Sequence, residues 1–174
     1  MGPIDRPIYL VGFMGCGKTS AGRALAAETG WEFVDLDERV TAREGRTIER
    51  IFRESGEGRF RELEWEALRA QRAGGRTVVA TGGGLFLGVV QRGFLKEEGV
   101  TVWIDVPLDV IRKRLGSGAA ERPLWTGEDP VSLRALFERR RAVYALADHR
   151  VPGIPGDPRD VALRVLDRFR LVPH

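Results

Sequence analysis

Ile8-Tyr9-Leu10-Val11-Gly12-Phe13-Met14-Gly15-Cys16-Gly17-Lys18-Thr19 joins an apolar run to the pattern G-x-x-x-x-G-K-[ST]. A strand that ends in this loop and hands over to a helix, here with Leu25, Ala26 and Thr29 on one side, is a P-loop in its proper context. Its glycines let consecutive backbone N–H groups turn inward as an anion-binding nest, and a helix opening at about Lys18 adds the positive end of its dipole. Lys18 is placed to reach the β- and γ-phosphates of a nucleotide, and the Thr19 hydroxyl to ligate the Mg²⁺ that bridges them. Gly15, Cys16, Gly17, Lys18, Thr19 and Ser20 are therefore candidate ATP contacts, and ATP and Mg²⁺ are the expected cofactors. The alternative, a glycine-rich turn that binds nothing, requires the motif, the strand before it and the helix after it to coincide by accident.

At 174 residues the chain is long enough for a full hydrophobic core, and a single domain spanning 1–174 is expected. Hydrophobic residues at 43% and charged residues at 30% are ordinary for a globular protein. The formal charge of +3 is spread, with arginines set among acids as in Arg39 to Arg53, so no block of positive charge points to nucleic acid. No run of eighteen apolar residues and no signal-peptide core is present, which predicts no membrane partner and a cytoplasmic location. Cys16 is the single cysteine; it has no internal disulfide partner, and inside the loop it reads as a small tolerated residue rather than a nucleophile. The chain is expected to be a monomer.

Downstream, Trp31 to Val34 reads as a second strand ending in Asp35-Leu36-Asp37. Carboxylates at that end of such a strand face the ligand crevice, and the i, i+2 spacing puts both on one side of a chain that is still extended. Asp35 is the candidate for holding Mg²⁺ through water, and Asp37 for accepting a proton from an attacking hydroxyl. Alternatively, an aspartate before Glu38-Arg39-Val40 only caps the next helix. Thr47 caps a helix that Glu57-Gly58 interrupts, and a longer helix follows from Arg59 to about Arg72. On it Arg61 and Glu64 stand i, i+3, so that the glutamate can orient the guanidinium for a carboxylate ligand; an ordinary surface ion pair, worth about 0.3–0.5 kcal/mol, is the other reading.

Arg76 to Thr81 predicts a buried strand, and the Gly82-Gly83-Gly84 after it either brings backbone N–H groups close to a ligand or forms a flexible hinge. Leu85 to Glu98 reads as helix, Val100 to Asp105 as strand, and Pro107 as part of the first turn of a helix through Arg114. Gly116 to Gly127 is glycine-rich and aperiodic, which predicts a mobile lid that offers Arg122 to the transferring phosphate. Leu133, Leu136, Phe137, Arg140 and Tyr144 share one helix face; a cation on that apolar side calls for an anionic partner unless it snorkels to the edge. His149-Arg150-Val151 is a possible last strand, and Val161, Val165, Leu166 and Phe169 mark a closing helix. Alternating strands and helices predict an α/β fold with a parallel sheet covered on both faces.

The ordered set resembles the shikimate kinase family over almost the whole chain. It comprises the P-loop, Asp35 with Asp37, Phe60-Arg61 with Glu64, Gly82 to Gly84, Arg122-Pro123-Leu124, and Arg140 with Tyr144. Gluconate-type and nucleoside monophosphate kinases share the first motif and the fold but not the rest. The resemblance implies a three-layer α/β/α fold of P-loop NTPase type, with five parallel strands in the order 2-3-1-4-5 and a mobile lid. It also implies transfer of the ATP γ-phosphoryl group to the 3-hydroxyl of shikimate, giving 3-phosphoshikimate and ADP. Arg61 and Arg140 would clamp the shikimate carboxylate, Gly83 would offer backbone contacts, Asp37 would bind the ring hydroxyls and act as base, and Arg122 would close over the phosphates. Arg114 and Pro158 fall near where the family sandwiches adenine. Ala142 stands where the family often has proline. Another small-molecule kinase, or a non-catalytic nucleotide-binding module, are the competing classes; neither a switch nor a motor needs a second pocket built from two inward arginines, D-x-D and three glycines.

Overall fold

The computed structural model describes residues 5–71, 75–116, 130–153 and 157–169. Strands β1 (Ile8–Val11), β2 (Glu32–Asp35), β3 (Thr77–Ala80), β4 (Val100–Asp105) and β5 (His149–Pro152) form one parallel sheet in the order β2-β3-β1-β4-β5. Between them run α1 (Lys18–Thr29), α2 (Leu36–Glu44), α3 (Ile48–Ala70), α4 (Val89–Glu98), α5 (Leu108–Gly116), α6 (Pro130–Tyr144) and α7 (Pro158–Phe169), with a 3₁₀ turn at Leu85–Leu87. The family-type order of the sheet is thus present. Except for Gly116, which closes α5, the expected lid lies outside the described residues, and Arg122 with it.

Strand position follows from the apolar pattern. All of β1 and β3 is buried, as continuous hydrophobic runs require when helices cover both faces of a parallel sheet. The outer strands carry the exposed positions, Glu32 on β2 and Arg150 on β5, and Pro152, which has no N–H to donate, is tolerated at that edge. Because β1 is central, the loop after it opens in the middle of the sheet's C-terminal edge. β3 is tied to it beyond the ladder, with Thr81 donating to the Leu10 carbonyl through both its amide (3.2 Å) and its hydroxyl (2.9 Å). This sets the three glycines beside the P-loop.

Three elements differ from expectation. Leu85 to Glu98 is not one helix: Gly88 is extended (φ −68, ψ 131) and separates the 3₁₀ turn from α4. Pro107 precedes α5, its carbonyl taking the Ile111 amide at 3.1 Å, instead of sitting within the first turn. The break in α3 falls at Gly56 (φ 79, ψ 169), a conformation open in practice to glycine alone, so Glu57 begins the second half of the helix and stands one turn before Arg61. No helix among the described residues is long and apolar enough to cross a membrane.

α1 lies between the sheet and α7, whose Val161, Ala162, Val165, Leu166 and Phe169 are buried. The approach of α1 to the sheet is set at Gly22, where a Cβ would lie 2.5 Å from the Phe33 ring and 3.2 Å from Leu10. Helix propensity alone favours Gly22→Ala by about 1 kcal/mol, whereas overpacking costs about 1–3 kcal/mol. The expected result is a net loss of stability in urea denaturation that reverses to a gain when Phe33 is also cut to alanine. A stabilised single variant would show that α1 is free to shift.

Candidate active site

The P-loop is closed by backbone geometry. Gly12, Gly15 and Gly17 all have positive φ, and Gly17 (φ 91, ψ 26) is the left-handed residue from which α1 starts. Lys18 folds back into the loop, its Nζ donating to the carbonyls of Gly12 (2.9 Å) and Phe13 (3.0 Å) with Cys16 Sγ 3.7 Å away. Cys16 is buried, which fits a packing residue and not an accessible nucleophile. Arg114 lays its guanidinium against the same loop, Nη1 donating to the Gly15 carbonyl at 3.2 Å.

Asp35 ties α1 to the start of α2. Its Oδ2 accepts the Thr19 hydroxyl at 2.6 Å, and its Oδ1 accepts the amides of Asp37 (2.9 Å) and Glu38 (3.3 Å) as the N-cap of α2. With the Thr19 proton directed at Asp35, the hydroxyl oxygen keeps its lone pairs for a cation, which is what a P-loop Mg²⁺ ligand needs. Among the described residues no three His, Cys, Asp or Glu side chains gather into a metal cage, so the donor set fits Mg²⁺ held by one hydroxyl, phosphates and water. The expectation that both aspartates sit on an extended segment is corrected: β2 ends at Asp35, the cap turns the chain at Leu36, and Asp37 is in the first turn of α2. The helix turn, and not a strand's alternation, brings Asp37 to the cavity.

On the other side, Glu64 is fully buried and accepts Arg61 Nη1 with Oε2, while Glu57 takes Nε (3.3 Å) and Nη2 (2.9 Å) of the same guanidinium. This excludes the ordinary surface pair. Burial opposes the charge on Arg61, yet Glu64 and Glu57 together hold its pKa above the usual value. Glu64 goes the other way. Burial raises its carboxyl to about 7, Arg61 offsets part of that rise, and Asp37 adds to it by repulsion. Its Oε1 is buried with no hydrogen-bond partner among the described residues.

Arg140 does not snorkel. It is only 8% exposed, its guanidinium carbon lies 5.6 Å from the centre of the Phe13 ring, and its Nε has no hydrogen-bond partner among the described residues. Tyr144, one turn on, donates its hydroxyl to the Gly83 carbonyl, and burial pushes that hydroxyl's pKa up, so it stays a donor at any ordinary pH. Among the described residues no carboxylate pairs with this buried guanidinium; an unpaired buried cation is costly, and an anionic ligand would remove that cost.

Most of these groups line one cavity of about 570 Å³. Gly15 to Ser20, Asp35, Asp37, Arg61, Glu64, Gly82, Gly83, Gly84, Arg114, Arg140 and Pro158 all open onto it, which covers every candidate site residue within the described residues. Sequence reasoning missed the apolar wall of Ile48 and Phe52, and the part of Glu57 in holding Arg61. The i, i+4 spacing of Glu57 and Arg61 was the available signal, hidden by reading Glu57-Gly58 as a break.

A family model described as shikimate kinase matches residues 14–170. A shikimate kinase of Persephonella marina is 39% identical over 165 residues, covering 95% of this chain and 99% of that protein. A shikimate kinase from Acinetobacter baumannii, solved in complex with shikimate, superposes with a TM-score of 0.89 at 36% identity, covering 95% and 93% of the two chains. A gluconokinase from Sinorhizobium meliloti reaches a TM-score of 0.54 at 19% identity over 97% and 98% of the chains, a likeness of fold alone.

The Glu64 carboxyl makes stability depend on pH. Its folded pKa, about 7, lies above the ordinary 4.5, so its contribution is fully present below about pH 4.5 and is lost as pH rises through 7. At about 1.4 kcal/mol per pKa unit the change is about 3 kcal/mol. Unfolding midpoints of the ligand-free protein should therefore fall between pH 5 and pH 8, and Glu64→Gln should flatten that slope. An equal slope in wild type and variant would place the titration elsewhere.

Proposed function

The chain belongs to the shikimate kinase family, and from that premise we propose that this cavity transfers the γ-phosphoryl group of ATP to the 3-hydroxyl of shikimate, giving ADP and 3-phosphoshikimate. The observation that carries the acceptor half is Arg140, a cation buried in the P-loop's own cavity with no acid paired to it among the described residues. A compact acid with apolar ring carbons suits such a place: its carboxylate meets Arg140 and the planar fork of Arg61, and its ring lies near Phe52, Phe60 and Ile48.

Each residue then has a defined task. The P-loop amides and Lys18 hold the phosphates, Thr19 and Asp35 would hold Mg²⁺, and Arg114 and Pro158 flank the base. Bound ATP would supply the phosphoryl group, and Mg²⁺ would offset phosphate charge. Asp37 takes the proton of the acceptor hydroxyl; the freed oxygen pair forms the new bond to phosphorus as the bond to the β-phosphate oxygen breaks and ADP leaves. Glu64 orients Arg61, and Gly83 meets the acceptor through its backbone. Arg122 closes over the phosphates from the lid. All of these groups come from one chain, so a cytoplasmic monomer of a single domain suffices, with no nucleic acid or membrane partner.

An ADP-release assay with shikimate, gluconate and nucleoside monophosphates tests the acceptor directly: turnover should require shikimate, and equal turnover with gluconate would overturn the assignment. Asp37→Asn keeps the shape and loses the proton acceptor, so kcat should fall by about 10² or more while ATP affinity stays within about twofold. A near-normal kcat would remove Asp37 as the base.

A further inference from the structure

Gly82 and Gly84 are not glycine for the sake of their backbone. None of the three glycines after β3 has a positive φ, and Gly84, at φ −99 and ψ −17, is in a right-handed conformation open to any residue. What these two positions lack is room. A Cβ on Gly84 would lie 2.4 Å from both Cζ and Nη1 of Arg61 and 2.5 Å from its Nη2. On Gly82 it would lie 1.8 Å from Oε1 of Glu64, with Cδ at 3.1 Å. Gly83, between them, is different: its nearest neighbour would be the Met14 amide nitrogen at 3.4 Å, an ordinary contact.

The two ends of one ion pair therefore each rest on a bare Cα. Glu57 holds the guanidinium by Nε and Nη2, Glu64 holds it by Nη1, and the Phe60 ring centre is 5.3 Å from Cζ. Gly84 supplies the remaining surface. Glu64 is fully buried, and the oxygen with no hydrogen-bond partner among the described residues is the one packed on Gly82. The fork of Arg61 is thus fixed in plane and depth by the glycine turn, which is itself anchored to β1 by Thr81. A methyl group on Gly84 would have to push the guanidinium back by about 1 Å to reach ordinary contact near 3.5 Å.

We propose that Gly82 and Gly84 are positioning residues for acceptor recognition, forming a seat that holds the Arg61–Glu64 pair where it can meet the carboxylate of the acid. This rests on the assignment of Arg61 to that carboxylate and goes beyond it, since the seat acts without touching the acceptor. The triple glycine then has two functions: its outer members make room for the pair, and the turn as a whole lines the cavity.

The experiment is a double-mutant cycle on Gly84 and Arg61, read as the KM for shikimate, the KM for ATP, and kcat. Gly84→Ala should raise the shikimate KM about ten- to a hundredfold, the range expected for a misplacement near 1 Å, with the ATP KM within about twofold of wild type. In an Arg61→Ala background the same change should add less than about twofold, because the group it displaces is gone. Effects that multiply independently would overturn the seat. Should Gly84→Ala fail to fold, recovery of folding in the Arg61→Ala background supports the seat and continued failure overturns it. Gly82→Ala gives a readout apart from activity: moving the Glu64 carboxyl should shift the pH midpoint of the stability change away from its wild-type value, and an unmoved midpoint counts against the seat. If Arg61→Ala leaves the shikimate KM unchanged, the carboxylate assignment falls, while the Gly82→Ala midpoint still reports on the seat.

Discussion

The carboxylate of Asp35 is the tie on which the arrangement depends. One of its oxygens takes the Thr19 hydroxyl and the other takes the first free amides of α2, so a single side chain joins the phosphate loop to the helix that carries Asp37. All three bonds are charge-assisted, and the two cap bonds also lie at the positive end of a helix dipole. Removing the carboxylate would therefore loosen two things that look separate in sequence, the orientation of the Thr19 hydroxyl and the position of Asp37. The acceptor half of the cavity inherits its register from the nucleotide half.

Sheet order makes this economy possible. With β1 central and β3 beside it, the P-loop and the glycine turn leave adjacent strands at the same edge, and β2 on the far side of β3 delivers Asp35 to that edge too. Thr81 clamps the two loops at their roots. α6 then packs against the 3₁₀ turn after the glycines and brings Arg140 and Tyr144 to the same place from the other direction. None of these contacts is local in sequence. They converge because parallel strands joined by right-handed crossovers send all their C-terminal loops to one side.

Much of this was legible before any coordinates. The P-loop declares itself by a local rule, since its glycines, lysine and threonine act within one turn of chain. Arg140 was legible as an anomaly, a cation in an apolar stripe, because the helix period says which side it faces. Asp37 was identified for the wrong geometric reason: strand and helix differ at a boundary decided by which aspartate caps, and propensity does not choose between Asp35 and Asp37. The glycine turn was the least legible part. Three glycines in a row read as conformational freedom, whereas the two outer ones are required by side chains some twenty positions away, and a constraint of that kind exists only in the packed structure.

Charge balance in the cavity takes the argument one step further. Among the described residues that line it, Lys18, Arg61, Arg114 and Arg140 face Asp35, Asp37, Glu64 and Asp157, four cations against four acids. With every group ionised this wall is neutral, and protonation of Glu64 near pH 7 leaves it only slightly positive. A nucleoside triphosphate and a carboxylic acid together bring more negative charge than that surplus offsets, even with Mg²⁺ between the phosphates. Burying the remainder without a counter-charge is expensive in a place from which water is to be excluded. The described wall thus offsets only part of the negative charge that the reactants bring. Arg122 lies outside the described residues, and the closing role proposed for it would add a cation at the phosphates.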